Sequence, residues 1–141
     1  MALIFLLLLA GACASQPENI TKTFENAGYP VEDTTDGYLD GWMQQELTVY
    51  TEEDYGGLVF SQFNSSEEAL EKFIQWLQYE RLDPVQYQKY MVKDKKNFQK
   101  YARTADDRYY AFIRKGDMFV WVNLPVEMEE NISQLLRKLG Y

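Results

Sequence analysis

Apolar residues recur along this chain in two different periods, and the changes of period mark its elements. Ile20, Phe24 and Ala27 are spaced as on one face of a helix, which Ser15, Pro17 and Glu18 open in capping-box form and Gly28 stops. Residues 29–35 read as a short extended piece. Asp36-Gly37 and Asp40-Gly41 mark turns, after which Met43, Leu47 and Val49 alternate with polar neighbours as on a half-buried strand. A second strand carries Leu58, Val59, Phe60 and Phe63, with the turn between the two supplied by residues 52–57. Ser65 and Glu68 then form a second capping box, and Leu70, Phe73, Ile74 and Leu77 fall on one helical face before Asp83-Pro84 ends the helix. Residues 84–97 show no decisive period: Val85, Tyr87, Tyr90 and Met91 suit a short helix as well as a packed loop. Period two returns over residues 98–104, 108–115 and 118–123, three strands of a meander with turns at Asp106-Asp107 and Gly116-Asp117. Pro125 opens a last helix with Met128, Ile132, Leu135, Leu136 and Leu139 as its stripe and Gly140 as its C′ cap. The order predicts one α+β domain over residues 17–141. Its sheet would be antiparallel, with about five to six strands and two to three helices packed on one face.

The first twelve residues break both periods. They carry no charged side chain, and Ile4 to Leu9 form an apolar run followed by Ala10, Gly11 and Ala12, the form of a secretory signal peptide over residues 1–12. The run is too short for a permanent span, which needs about 20 residues. An n-region normally carries Lys or Arg, so its absence here leads us to expect a start further upstream. Cys13 directly follows the small residues, and this arrangement resembles the lipobox of bacterial lipoproteins. The resemblance implies a diacylglycerol on the Cys13 thiol, cleavage just before it, and residues 13–16 as a short tether. Ordinary cleavage after the small-x-small triplet Ala12, Cys13, Ala14 is the open alternative and would release a soluble protein. A single cysteine in an exported chain has no disulfide partner within it, which suits acylation.

Charge narrows the remaining chemistry. There are 14 Lys and Arg against 22 Asp and Glu with no His, a balance that argues against nucleic acid as a partner. Without His, and with one Cys already assigned, zinc and His-based catalysis are not expected, and no nucleophile-elbow, Walker or dinucleotide motif is present. No cofactor is expected and the chain is not expected to be an enzyme. Asp33, Asp36 and Asp40 share a glycine-containing loop, but their spacing is not that of an EF-hand and reads as a solvated turn. Residues 18–54 hold ten acids and one base, whereas residues 84–117 hold nine bases and four acids. The ordinary expectation is that the two segments neutralise each other across the fold or point into water. The functional alternative is that Lys89, Lys93, Lys95, Lys96 and Lys100 face anionic lipid or wall polymer. Of the aromatics, Tyr110, Phe112, Phe119 and Trp121 are expected in the core, while Tyr87, Tyr90 and Tyr101 are candidates for ligand contact.

Taken with Cys13, the pieces at Ala27 to Tyr29, Phe60 to Ala69, Tyr101 to Val122 and Leu139 to Tyr141 resemble small uncharacterised lipoproteins of Firmicutes. That group brings no activity with it, and Cys13 is the residue it marks as functional. The resemblance implies a lipid-anchored protein on the extracytoplasmic face of the cell membrane. The expected function is a non-catalytic binding or accessory module for an unknown extracellular ligand or protein. A secreted inhibitor or immunity-type protein, acting through a protruding loop such as Asp36 to Trp42, is the alternative.

Overall fold

A computed structural model describes residues 16–35, 43–80 and 90–141. The first helix, α1 (Gln16–Asn26), ends as its glycine predicts. Gly28 adopts φ +91°, its N–H meets the Glu25 carbonyl at 3.0 Å, and the Tyr29 N–H meets the Phe24 carbonyl at 2.9 Å. These two bonds make a Schellman motif, and the Tyr29 ring closes over Phe24 as the accompanying apolar contact. The expected partner Ser15 lies outside the described residues. The extended piece is a three-residue strand, β1 (Val31–Asp33), and the two strands that follow are β2 (Met43–Glu52) and β3 (Tyr55–Phe63). Helix α2 (Ser66–Tyr79) opens as its capping box requires, with Ser65 Oγ accepting the Glu68 N–H at 3.2 Å.

Beyond it lie β4 (Met91–Lys95), β5 (Phe98–Ala105), β6 (Arg108–Lys115) and β7 (Met118–Pro125). A 3₁₀ turn over Val126–Met128 leads into the last helix, α3 (Glu129–Lys138). Its end repeats that of α1: Gly140 sits at φ +87°, and the N–H groups of Gly140 and Tyr141 reach the carbonyls of Arg137 and Leu136. Two-residue loops join β5 to β6 and β6 to β7, as the ladder pairs Ala105 with Arg108 and Lys115 with Met118. Asp106 and Asp107 both take positive φ, the geometry that matches a hairpin's twist.

All seven strands form one antiparallel sheet in the order β1-β2-β3-β7-β6-β5-β4, an α+β fold. Two parts of the sequence-based expectation need correction. The count exceeds five to six because residues 84–97 contain the edge strand β4, and because the three-residue β1 pairs with β2. The helices also flank both faces instead of one. Helices α1 and α3 cover Leu58, Phe60, Ile113, Val120 and Val122, whereas α2 lays Ala69, Phe73 and Leu77 over Tyr101, Phe112 and Phe119. Central strands between two layers are apolar on both faces, and the unbroken run Met118 to Val122 is the sign of it. The buried face of α2 is rotated from expectation as well: Ile74 is exposed, and Trp76 packs in its place.

Candidate functional site

The hairpins give the molecule two ends. At one end the β6–β7 turn meets the β4–β5 turn, with the Gly116 N–H on the Asn97 carbonyl at 3.0 Å. The C-terminal turn of α3 and the start of α1 meet there as well. Lys115 Nζ donates to the Gly140 carbonyl at 2.9 Å and lies over the Tyr141 ring, and the Tyr141 hydroxyl donates to Gln16 Oε1 at 3.1 Å. Gln16 is three residues after Cys13. The other end holds the β2–β3 and β5–β6 turns and the start of α3, tied by Arg108 to Glu52 at 3.0 Å and by the Val126 N–H to the Asp107 carbonyl.

Charge follows this division. Glu52, Glu53, Asp54, Asp106, Asp107 and Glu127 stand at the far end, with Arg108 among them. Lys95, Lys96, Lys115 and Lys138 stand at the Gln16 end. Two carboxylates stand in their midst: Asp117, accepting from Gln62 at 3.3 Å, and Asp94, between Lys93 and Lys95 on β4 and accepting from Gln99 at 3.4 Å. Glu67 and Glu68 also lie at this end, on the α2 side. The sheet order separates charge sideways too, since β1 and β2 form one edge and β4 and β5 the other. Six steps of about 4.8 Å lie between the edge strands. Among the described residues the Arg108–Glu52 ion pair joins residues 18–54 to residues 84–117, and most of the other charges of the two segments stand apart.

Lys93, Lys95 and Lys96 are all exposed; Lys93 Nζ lies 4.5 Å from the centre of the Phe98 ring. The ladder sets Lys93 directly opposite Lys100, a like-charge pair on one face of the sheet. Burial, and then the charge of Arg137, lowers the Lys100 pKa, while Glu129 works against them. Cys13, Tyr87, Lys89 and the Asp36 to Trp42 loop lie outside the described residues. Asp33 is described, and its carboxylate is used locally: it accepts the Thr35 N–H at 2.9 Å and Gln45 Nε2 at 3.0 Å, and its pKa is lowered chiefly by the bonds to Thr35. Among the described residues no group of three or more Asp, Glu, Cys or His is placed to hold a metal ion.

The tyrosine candidates divide. Tyr101 is fully buried, stacked on Phe112 at 5.3 Å with an interplanar angle of 11°, so its ring belongs to the core under α2. Its hydroxyl reaches Glu80 at 3.4 Å, and Glu80 also pairs with Arg103 at 2.7 Å. Tyr90 is half-buried and meets Tyr101 edge-on. Of the four expected core aromatics, Phe112 and Phe119 are buried, whereas Trp121 and Tyr110 are half-buried, the latter beneath Arg103. Trp76 and Tyr79 were not among the residues expected from the sequence to contact a ligand. With Lys72, Gln75 and Gln78 they line a surface groove of about 710 Å³ at the C-terminal end of α2. Trp76 packs on Phe112, Trp121 and Tyr79, and Tyr79 is 82% exposed. An exposed aromatic three residues after a half-buried Trp, at the end of an amphipathic helix, was the available signal.

Burial holds the hydroxyls of Tyr101 and Tyr109 neutral, pushing both pKa values up to about 12, and the negative charges of Glu80 and Glu129 respectively add to it. Tyr141 is shifted upward for the same leading reason. A raised pKa in the folded state means that the unfolded chain gives up these protons first. The stabilisation is thus complete below the ordinary tyrosine pKa of 10 and is lost as the pH climbs through about 12. Thermal melts should show a flat midpoint up to about pH 9.5 and a steep fall above it, coincident with delayed tyrosinate absorbance. Exposed-type titration of every tyrosine, with no loss of stability before pH 12, would contradict this.

No protein-family description matches the chain, and no curated protein matches it significantly. Among solved structures it is similar to a GTP-binding regulator from Thermotoga maritima. The similarity covers 86% of this chain and 84% of that one, at 19% identity and a TM-score of 0.47.

Proposed function

We propose that this chain is a lipid-anchored, non-catalytic binding or accessory module on the extracytoplasmic face of a membrane, held there through Cys13. The observation that carries the reading is the position of Gln16. Tyr141 fixes it at one end of the sheet, and the three residues back to Cys13 reach at most about 10 Å. An acyl group on Cys13 would thus hold that end against the bilayer. Helix α2 starts at this same end, where Ser66 meets Arg114, and carries Trp76 about 15 Å and Tyr79 about 20 Å along its axis from there. The groove is the surface offered to a ligand. Its apolar aromatic faces are rimmed by Gln75, Gln78 and Lys72, which suits a partner with an apolar side and hydrogen-bonding edges.

Intact mass of the native protein extracted from membranes tests the anchor. The expected product begins at Cys13 and carries added acyl groups, and a Cys13→Ser variant loses them. A soluble product beginning at Ser15 would overturn the reading and favour the diffusible inhibitor.

A further inference from the structure

We infer that the lysine corner beside Gln16 is a second, electrostatic membrane contact, one that binds anionic phospholipid headgroups and sets the orientation of the domain. The inference rests on the anchored reading for its biological setting, though its geometry stands apart from acylation. From Gln16 the contacts run through Tyr141 to Lys115, then along the ladder from Lys115 to Phe98 and from Phe98 to Lys95. Lys95 is thus two strands, about 10 Å, from Lys115. Lys93 lies on the same face of β4, Lys96 occupies the adjoining turn, and Lys138 borders the cleft that Gln16 also lines. Among the described residues none of these five cations forms an ion pair.

Lysines on an edge strand also discourage strand pairing with other molecules, and that alone would account for Lys93 and Lys95. It does not account for Lys96 in a turn, Lys115 on a central strand or Lys138 on α3, all gathered at the same corner. Asp94, Asp117, Glu67 and Glu68 share this end, and much of the remaining overall charge of −8 lies away from it. The acidic end lies a strand length away, about 26 Å for the eight residues of β6, several times the screening length of about 8 Å at physiological salt.

The test uses residues 13–141 carrying Cys13→Ser, a chain that includes every described helix and strand and cannot be acylated at that site. Its partitioning onto vesicles of phosphatidylglycerol and phosphatidylcholine is measured by sedimentation at low and high salt. Binding is expected on the anionic vesicles and should weaken with salt. Lys93→Gln, Lys95→Gln and Lys96→Gln together should lower it roughly a hundredfold, about fivefold for each lysine near such a surface. Removing two charges at the far end, with Glu53→Gln and Asp54→Asn, should leave it unchanged, and circular dichroism checks that each variant is folded. Equal partitioning on both lipids, or no loss in the folded triple variant, would overturn the inference. So would complete displacement by millimolar glycerol phosphate, which would assign the corner to a soluble anion. A native mass without acyl groups would sink the anchor and leave this vesicle result untouched.

Discussion

Replacing Arg114 with methionine is expected to destabilise the protein by about 3 kcal/mol, a large effect for a single polar side chain. Arg114 is 1% exposed, yet among the described residues it has no ion-pair partner. Neutral oxygens surround its guanidinium instead. Nε donates to Gln99 Oε1 at 2.8 Å, Nη1 to Ser66 Oγ at 3.0 Å and to the Gly116 carbonyl at 3.3 Å, and Nη2 to the Lys96 carbonyl at 2.9 Å. One side chain thus joins β5, the first turn of α2 and two hairpin turns at the Gln16 end. Methionine keeps most of the volume, so the loss is of hydrogen bonds and leaves no large cavity. Bonds to a charged donor are worth about 1.5–3 kcal/mol each, but their removal is only partly cumulative because water can reach the turn carbonyls. Arg114→Lys should recover less than half of the loss, since an ammonium cannot reproduce a planar fork aimed in three directions. Urea melts of the two variants decide the matter. Arg114→Met within 0.5 kcal/mol of the parent, or full rescue by Lys, would mean the network contributes little.

Arg114 also illustrates what the sequence conceals. In a strand reading of residues 108–115 a cation looks solvent-facing, and nothing local announces that Ser66, 48 residues earlier, comes to meet it. Local chemistry was far more legible. The Ser65 cap, the glycines at 28 and 140 and the aspartate turn at 106 and 107 each need only their own neighbours, and each appears where the sequence places it. Strand β4 escaped because an edge strand buries little: from Val92 to Lys95 every residue is exposed, so no apolar alternation could reveal it. The separation of charge depends on β7 inserting between β3 and β6. Hairpin order alone does not specify that insertion, which is why the acidic and basic segments could be counted in advance but not placed. Of the candidate residues, Lys93, Lys95 and Lys96 fall together at the surface, whereas Tyr101 proves to be core because α2 covers the sheet face that a one-sided packing leaves bare.

That second layer leads to the other large expectation, which concerns two residues adjacent in sequence. Phe112→Ala should cost about 3–4 kcal/mol and Ile113→Val about 1 kcal/mol. Phe112 is 2% exposed and lies under α2 against Tyr101 and Trp76, while Ile113 is fully buried on the opposite face with the core beneath α1 and α3. Side chains that share a packed layer usually couple, because a cavity made by one changes what the other can fill. These two share a backbone but no packing neighbours within their layers, so the double variant should lose the sum of the two within about 0.5 kcal/mol. A pair drawn from one layer, Phe112→Ala with Leu77→Ala, should depart from the sum by more than that, since both line the pocket closed by α2. Equilibrium unfolding of the two cycles distinguishes the cases. Strong coupling between positions 112 and 113 would mean that the sheet transmits repacking from one face to the other and that the layers do not behave as separate cores.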